Sequence, residues 1–316
     1  MSEMTRRERI MRCYNFEGPD RMPIEQAFYS GALIRYGQAL IDLMNQYPND
    51  FGGAKHADYA EAVRDLNPEY HYEDTDPWGV KWEGRYEGIL GVPLVHPIED
   101  LKALKSYAPP SGSVAEGEAF EATKANVAKG RENDITGWSG PWIGGLCLFE
   151  RMQWLRGYEN LMMDFAERRP ELDIIADMIV DAYMNEIDYG GRLGVDVMGF
   201  ADDWGTQERL MISPALWRDF YKPRYAKMFA ACHAAGAKVS FHSDGMILSI
   251  IPDLIEIGMD IFRPQFSCMD IRDMAAITRG KCTTVMDLDR QYTLPFGTPE
   301  QVRALVKEVV EVFGLP

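Results

Sequence analysis

The chain has 316 residues, of which 46% are hydrophobic and 26% are charged, and this composition excludes a disordered or low-complexity protein. Its 33 basic and 49 acidic residues give a net charge of −16, and a field of that sign repels nucleic acid. No apolar stretch approaches the ~18 residues of a membrane span, and no secretory signal is visible, so we expect neither a membrane nor nucleic acid as a partner.

Five cysteines are scattered along the chain in a pattern that is not typical of a disulfide framework. They are Cys13, Cys147, Cys232, Cys268 and Cys282. Together with the missing export signal, they predict reduced thiols in a cytoplasmic protein.

The first predicted elements are helical and lead into a β-rich stretch. Thr5-Arg6-Arg7-Glu8 is a capping box, which begins a helix that should run to about Phe16. Residues 24–28 predict a first strand, and residues 32–47 predict a second helix. Residues 68–97 are rich in Gly, Trp and Tyr and predict a β-hairpin insertion. This part of the chain is therefore expected to be an N-terminal helical extension followed by the insertion.

From residue 134 onward, short apolar strands alternate with helices. The predicted strands are 134–138, 195–200, 237–242, 259–263 and 282–288. The predicted helices are 145–156, 161–168, 171–193, 213–236, 247–257, 270–279 and 298–313. Strands separated by helical units of roughly 20 residues pair in parallel with right-handed crossovers. We therefore predict an α/β fold, a TIM (β/α)8 barrel, as a single domain over residues 1–316. Its eighth strand is expected beyond Pro316, unless a partner or an insertion closes the barrel instead.

The functional groups of such barrels gather where the strands end. At these positions the sequence has acids, one histidine, arginines and tryptophans. We predict substrate contacts from Trp138, Trp142, Asp202, Trp204, Arg263, Gln265 and Asp287. The tryptophans would form a flat wall for a ring-shaped ligand or simply pack under loops. Arg263 and Arg290 would bind a carboxylate or phosphate, or neutralise the neighbouring aspartates.

His242 and Asp244 form the most informative pair. Residues two apart in a strand point to the same side, so both side chains can meet one ion or substrate atom. A histidine with carboxylates suits zinc or another divalent metal, and we predict both as metal ligands; otherwise the histidine only hydrogen-bonds a carboxylate. Asp202 and Asp203 are predicted to supply a general base, a metal ligand or an anchor for a cationic substrate, unless they are an acidic pair favoured by a helix N-terminus. The predicted catalytic residues are therefore Asp203, His242 and Asp244.

Several motifs follow one another in a fixed order along nearly the whole chain. They are Thr5-Arg6-Arg7-Glu8-Arg9, Asp20-Arg21-Met22-Pro23, Asp203-Trp204-Gly205-Thr206-Gln207, Ile212-Ser213-Pro214, Gly236-Ala237-Lys238-Val239, His242-Ser243-Asp244-Gly245 and Phe296-Gly297-Thr298-Pro299-Glu300. In this order the sequence resembles the uroporphyrinogen decarboxylase superfamily. The resemblance implies a single (β/α)8 barrel with its site at the C-terminal mouth, often in a homodimer.

Two activities dominate that superfamily. Its authentic decarboxylases carry an arginine-rich segment after the first strand, whereas residues 25–31 of this chain contain no arginine, which argues against a tetrapyrrole with many carboxylates as the substrate. Its methyltransferases move a methyl group from a corrinoid protein to a thiol, with zinc held by His-x-Cys and a later cysteine. His242 matches the histidine of that motif, whereas the harder ligand Asp244 stands where the cysteine is found.

We therefore predict metal-assisted methyl transfer with zinc as the candidate cofactor and a small methylated molecule or a corrinoid protein as the substrate. In this prediction Arg263 anchors an anion, and the protein is a homodimer. One alternative is metal-free decarboxylation of a carboxylated ring compound, with Asp203 or Asp244 as the acid/base. Another is a non-catalytic barrel that binds a corrinoid or tetrapyrrole.

Overall fold

The structure, a computed structural model, describes residues 3–314. The α-helices are α1 Arg6–Tyr14, α2 Ser30–Met44, α3 Gly117–Gly130, α4 Leu148–Arg156, α5 Tyr158–Glu167, α6 Glu171–Leu193, α7 Pro214–Leu216, α8 Lys222–Ala234, α9 Ile251–Glu256, α10 Ile271–Thr278, α11 Thr293–Phe296 and α12 Pro299–Phe313. The strands are β1 Tyr72–Thr75, β2 Lys81–Gly84, β3 Val92–Val95, β4 Gly137–Trp138, β5 Val197–Ala201, β6 Lys238–Ser243, β7 Ile261–Pro264 and β8 Thr283–Thr284. The barrel strand predicted beyond Pro316 lies outside the described residues.

The chain divides into two compact units. The first contains Met1–Ser111, Ala128–Thr136 and Arg151–Ala176, and the second contains Gly112–Val127, Gly137–Glu150 and Asp177–Pro316. The prediction of a single domain over residues 1–316 stays a prediction.

The first unit contains a three-stranded antiparallel sheet in the order β1-β2-β3. It occupies the range predicted as a β-hairpin, and the structure adds a third strand to the expected two. Trp78 and Trp82 are almost fully buried here. The guanidinium of Arg151 lies 4.8 Å from the Trp78 ring and 4.7 Å from the Trp154 ring, and it pairs with Asp76 at 3.3 Å. Apolar and cation–π contacts therefore stabilise this unit together.

The strand predicted over residues 24–28 is wrong, because these residues form no strand in the structure. The backbone N–H of Ile24 donates to the Asp50 carboxylate at 2.8 Å, and that of Gln26 to the side-chain oxygen of Asn49 at 3.4 Å. Side chains satisfy these donors, so the segment has no need of a ladder of strand hydrogen bonds.

The second unit contains a five-stranded parallel sheet in the order β4-β5-β6-β7-β8. Strands consecutive in the chain are neighbours in the sheet, whereas a doubly wound sheet reverses its order. Helices between successive strands run back over the sheet, as parallel pairing requires. The predicted α/β fold with a parallel sheet is confirmed, and the closure of eight strands into a barrel stays a prediction.

The outer strands of this sheet are shorter than predicted. β4 keeps two residues of the expected 134–138, and β8 keeps two of 282–288. Asp134 belongs to the turn after α3, where its N–H donates to the carbonyl oxygen of Gly130 at 2.9 Å, and its carboxylate accepts hydrogen bonds from the guanidinium of Arg6 at 2.5 and 2.9 Å. The residues after β8 instead form a loop at the C-terminal edge of the sheet.

Three helix starts predicted from the sequence are found in the structure, and at the first of them Thr5 caps α1 through the N–H of Glu8. Thr298 and Gln301 form a reciprocal capping box at α12, and Ser213 caps α7 through the N–H of Leu216 at 3.1 Å. The helix predicted over 213–236 is α7, a π-helical turn at Trp217–Tyr221 and α8 in succession. Local capping chemistry was therefore sufficient to find these starts.

The predicted absence of disulfides is consistent with five free cysteines. Four of them are buried, and Cys13 is half-buried. Of the helices within residues 3–314, none combines the length and the apolar character that a membrane crossing requires.

Candidate functional site

Asp203, His242 and Asp244 meet at the C-terminal edge of the parallel sheet. Ala201 at the end of β5 is in register with His242 near the end of β6, and the N–H of Asp202 donates to the carbonyl oxygen of His242 at 3.0 Å. Since parallel strands end at one edge, residues that follow β5 and β6 come together. One ligand atom from each of the three side chains lies within 4.8 Å of the others.

The histidine faces both carboxylates. Its Nε2 lies 3.5 Å from Oδ1 of Asp244 and 3.6 Å from Oδ1 of Asp203. The backbone N–H of Asp244 donates to Oδ1 of Asp203 at 2.8 Å. The two acids are therefore linked directly by this hydrogen bond, and the imidazole lies beside both.

The orientation of His242 is fixed by the neighbouring strand. Its Nδ1 lies 2.9 Å from the carbonyl oxygen of Arg263. A carbonyl oxygen only accepts, so Nδ1 carries a hydrogen and the neutral ring has its lone pair on Nε2. A lone pair that faces two carboxylate oxygens requires a proton or a cation between them. The arrangement is suited to binding a metal ion or to moving a proton.

Arg290 and Asp287 approach the same cluster from the loop after β8. Nη2 of Arg290 donates to both oxygens of Asp244, at 2.6 and 2.5 Å, and its Nη1 lies 3.7 Å from Oδ2 of Asp287. Asp289 accepts hydrogen bonds from the backbone N–H groups of residues 291, 292 and 293 at 3.0, 3.1 and 2.9 Å. The loop is therefore braced directly beside the arginine.

Two of the acids hold protons more tightly than an ordinary aspartate. Burial raises the pKa of Asp203, and the negative charge of Asp244 raises it further, while the hydrogen bond from the Asp244 N–H opposes both. Burial also raises the pKa of Asp287, against the attraction of Arg290. The side chains of His242, Asp203 and Asp244 remain 36%, 39% and 32% exposed, so a ligand in solution can reach all three.

Asp202 and Trp204 lie in the core, although both were predicted to contact substrate. Asp202 accepts hydrogen bonds from the N–H groups of residues 148, 149 and 150 at 2.6, 3.0 and 2.8 Å, and from the hydroxyl of Tyr225. Its carboxylate therefore caps α4. Burial raises the pKa of Asp202 to about 7, against the pull of these donors. Trp204 is fully buried, with its ring stacked on Phe149 at 4.1 Å. Neither side chain faces solvent, so the structure gives both a packing role.

Of the other residues predicted to contact substrate, one has a structural role and three remain predictions. Gln265 is buried and accepts the N–H of Gly245 at 2.8 Å, so it braces the chain just after Asp244. Nε1 of Trp138 donates to Glu186 at 3.2 Å, and Trp142 is 8% exposed. For these two tryptophans, and for the Arg263 guanidinium as an anion anchor, a role in substrate binding stays a prediction.

Two glycines that sequence reasoning passed over shape the loops of the site. Gly205 follows Asp203 and Trp204, and Gly245 follows Asp244 directly. A Cβ on Gly245, whose φ is +84°, would lie 2.1 Å from the carbonyl oxygen of Gly205. The N–H of Gly205 donates to the carbonyl oxygen of Asp244 at 3.2 Å. The two loops cross at a point where a side chain would not fit. In the sequence, the signal for this close approach was a glycine directly after each segment that contains a candidate acid.

Two other groups of possible metal ligands occur among residues 3–314. In one, His71, Glu73 and Glu83 lie on the antiparallel sheet, where Lys81 pairs with Glu73 at 2.5 Å and Arg85 with Glu83 at 2.9 Å. In the other, Cys147 and Glu150 lie near Asp202, whose oxygens already accept the N–H groups of α4. The His242 cluster is the best candidate because its imidazole is oriented, its acids are accessible and strand ends position it.

Comparisons with known proteins concern the family and the fold of the chain. The sequence model of a family described as Uroporphyrinogen decarboxylase (URO-D) matches residues 87–315, well over half of the chain. Among 20 matching chains of solved structures is a methyltransferase from Methanosarcina mazei, with a TM-score of 0.64 and 16% identity over 98% of this chain and 90% of that chain. At that identity the likeness concerns the fold. No curated protein matches the sequence significantly.

Proposed function

Since the chain belongs to the uroporphyrinogen decarboxylase (URO-D) family, we propose that it is an enzyme of the methyltransferase-like branch, with a divalent metal bound by Asp203, His242 and Asp244. The observation that carries the proposal is the convergence of the three ligand atoms within 4.8 Å. The fold-level likeness to a methyltransferase supports the choice of branch.

The donor set fits a metal such as zinc. Ligand atoms at 2.0–2.2 Å from a tetrahedral zinc are separated by about 3.4 Å, and the imidazole Nε2 lies 3.5 and 3.6 Å from the two carboxylate oxygens. The Arg263 carbonyl oxygen orients the ring through Nδ1, as the outer partners of metal-bound histidines do. Two carboxylates form a harder donor set than the cysteines of the family's zinc sites, which would leave the ion more Lewis-acidic.

A bound metal would lower the pKa of a thiol substrate and so supply the thiolate nucleophile near neutral pH. Asp203 would accept the thiol proton at Oδ2, since its Oδ1 already accepts the Asp244 N–H. In the transfer, the sulfur gains the methyl group. The corrinoid cobalt keeps the electron pair of the broken cobalt–carbon bond.

Methyl transfer from methylcobalamin to 2-mercaptoethanol tests this proposal. With zinc present, we expect the corrinoid absorbance to change as the methyl group leaves and the methyl thioether to appear by mass spectrometry. His242→Ala should abolish both signals, whereas His233→Ala, which alters an exposed histidine paired with Asp260, should not. Thioether formation at the same rate in wild type and His242→Ala would contradict the proposal.

Decarboxylation without a metal is a second candidate, and a specific observation favours it. Arg290 already supplies a cation to Asp244, and Asp203 has a raised pKa, which suits an acid that protonates a carbanion. Loss of carbon dioxide from a carboxylated ring compound by protein stripped of metal with a chelator would support this candidate over methyl transfer.

The proposal includes the architecture and partners expected from the sequence. The parallel sheet would belong to a closed (β/α)8 barrel of a cytoplasmic homodimer, and the methyl donor would be a corrinoid protein or a small methylated molecule. A non-catalytic barrel that binds a corrinoid or tetrapyrrole would show tight binding without turnover in the same assay.

A further inference from the structure

We propose that Arg290 is an exchangeable counter-ion of the site: it holds Asp244 when the metal is absent and moves to an oxyanion of the substrate when the metal binds. This inference rests on the proposed metal centre. It names Arg290 as the residue that selects an anionic substrate, in place of Arg263.

The contact between Arg290 and Asp244 occupies a proposed ligand. Nη2 of Arg290 lies 2.6 and 2.5 Å from the two oxygens of Asp244, and Oδ1 of that carboxylate is also the atom nearest His242 Nε2, at 3.5 Å. The arginine and a metal ion would therefore share one carboxylate. Two cations on one carboxylate repel each other, so each weakens the binding of the other.

The formal charges of the cluster indicate that the metal binds before the anionic substrate. Three negative charges come from the ionised forms of Asp203, Asp244 and Asp287, and Arg290 contributes one positive charge. The net formal charge of the cluster is then −2. An anionic substrate is repelled by this site. A divalent metal cancels that charge and releases the guanidinium, whose donors match a carboxylate, sulfonate or phosphate.

Arg290 is able to move without moving the loop. Its backbone is braced by Asp289, which accepts three N–H groups from residues 291–293. Its side chain is 39% exposed, and that of Asp244 is 32% exposed, so rotation of the long side chain is sufficient.

Metal titration of an arginine variant tests the exchange. Isothermal titration with Mn²⁺ and with Zn²⁺ would compare wild type, Arg290→Gln and the control Arg303→Gln, which alters an exposed pair with Glu300 at 3.2 Å. We expect Arg290→Gln to bind metal about tenfold more tightly, because a competing charge is removed, and Arg303→Gln to match wild type. Equal or weaker binding by Arg290→Gln would mean that the arginine only orients Asp244, and would overturn the proposal.

A second titration tests the oxyanion. Sulfate should tighten metal binding to wild type relative to chloride at equal ionic strength, because it draws the guanidinium away from Asp244, and should leave Arg290→Gln unchanged. The same sulfate effect in both proteins, or in neither, would refute a role for Arg290 in anion binding. If His242→Ala binds metal as wild type does, the proposed centre itself is wrong, and this result is distinct from a failure of the exchange.

Discussion

The imidazole of His242 is held by the main chain of Arg263, with Nδ1 at 2.9 Å from its carbonyl oxygen. This contact joins adjacent strands, since His242 in β6 and Arg263 in β7 are in register. It directs Nε2 towards the carboxylates of Asp203 and Asp244. The hydrogen bond between adjacent strands therefore sets the direction in which the proposed ligand faces.

Arg151 should be essential for the stability of the first unit. Its guanidinium is fully buried between two tryptophan rings and pairs with Asp76, so Arg151→Met leaves a buried carboxylate without its counter-ion. We expect a loss of about 3–5 kcal/mol in the free energy of unfolding, measured by urea denaturation. Arg169→Gln breaks an exposed pair with Glu167 and should cost less than about 1 kcal/mol. Similar losses in the two variants would contradict this role.

The crossing of the loops at Gly245 should tolerate no side chain. Gly245→Ala would bring a Cβ to 2.1 Å from the Gly205 carbonyl oxygen at a φ of +84°, and we expect a loss of more than about 3 kcal/mol, with weaker metal binding. Gly236 has a similar φ of +80° with nothing within 4 Å of its Cβ position. Gly236→Ala is therefore the matched control and should cost about 1 kcal/mol from strain alone. Equal costs would show that the close approach is unimportant.

Asp202 should make the stability depend on pH. Because burial raises its pKa to about 7 from 3.8, the folded protein binds more protons than the unfolded chain between these values. Its contribution to stability is fully present below about pH 4 and is lost as the pH rises through about 7. The stability of wild type relative to Asp202→Asn should therefore fall from pH 5 to pH 8, by up to roughly 3 kcal/mol.

Tyr225→Phe serves as the control for the Asp202 prediction, because it removes one hydroxyl donor and keeps the carboxyl group. It should retain the same downward trend in stability. A difference between wild type and Asp202→Asn that stays constant or rises with pH would show that the N–H groups of α4 stabilise the ionised form more than burial opposes it.

The parallel half of the fold was predictable because its strands are short apolar runs between helices with local caps, such as Ser213 and Thr298. The proximity of Asp203 to His242 and Asp244 followed from the same reasoning. Parallel strands end at one edge, and residues two apart in a strand share a side. Both rules need only the sequence around each strand.

What the sequence did not predict depends on partners far away in the chain. The start of α4 at Leu148 depends on Asp202, 54 residues later, and the loss of the strand at 24–28 depends on Asn49 and Asp50. The pairing of Arg290 with Asp244 spans 46 residues. For Trp204 the sequence left a pocket wall and packing under loops both open, and the structure shows its ring stacked on Phe149. Local patterns carry no information on such pairs.

The binding of a divalent metal by the His242 cluster is the central claim, and the metal content of the purified protein after zinc loading and dialysis tests it most directly. Elemental analysis should find about one zinc per chain in wild type and in the control His233→Gln, whose histidine contacts Asp260. It should find almost none in His242→Gln. Zinc retained at the wild-type level by folded His242→Gln, or absent from all three proteins, would contradict the account.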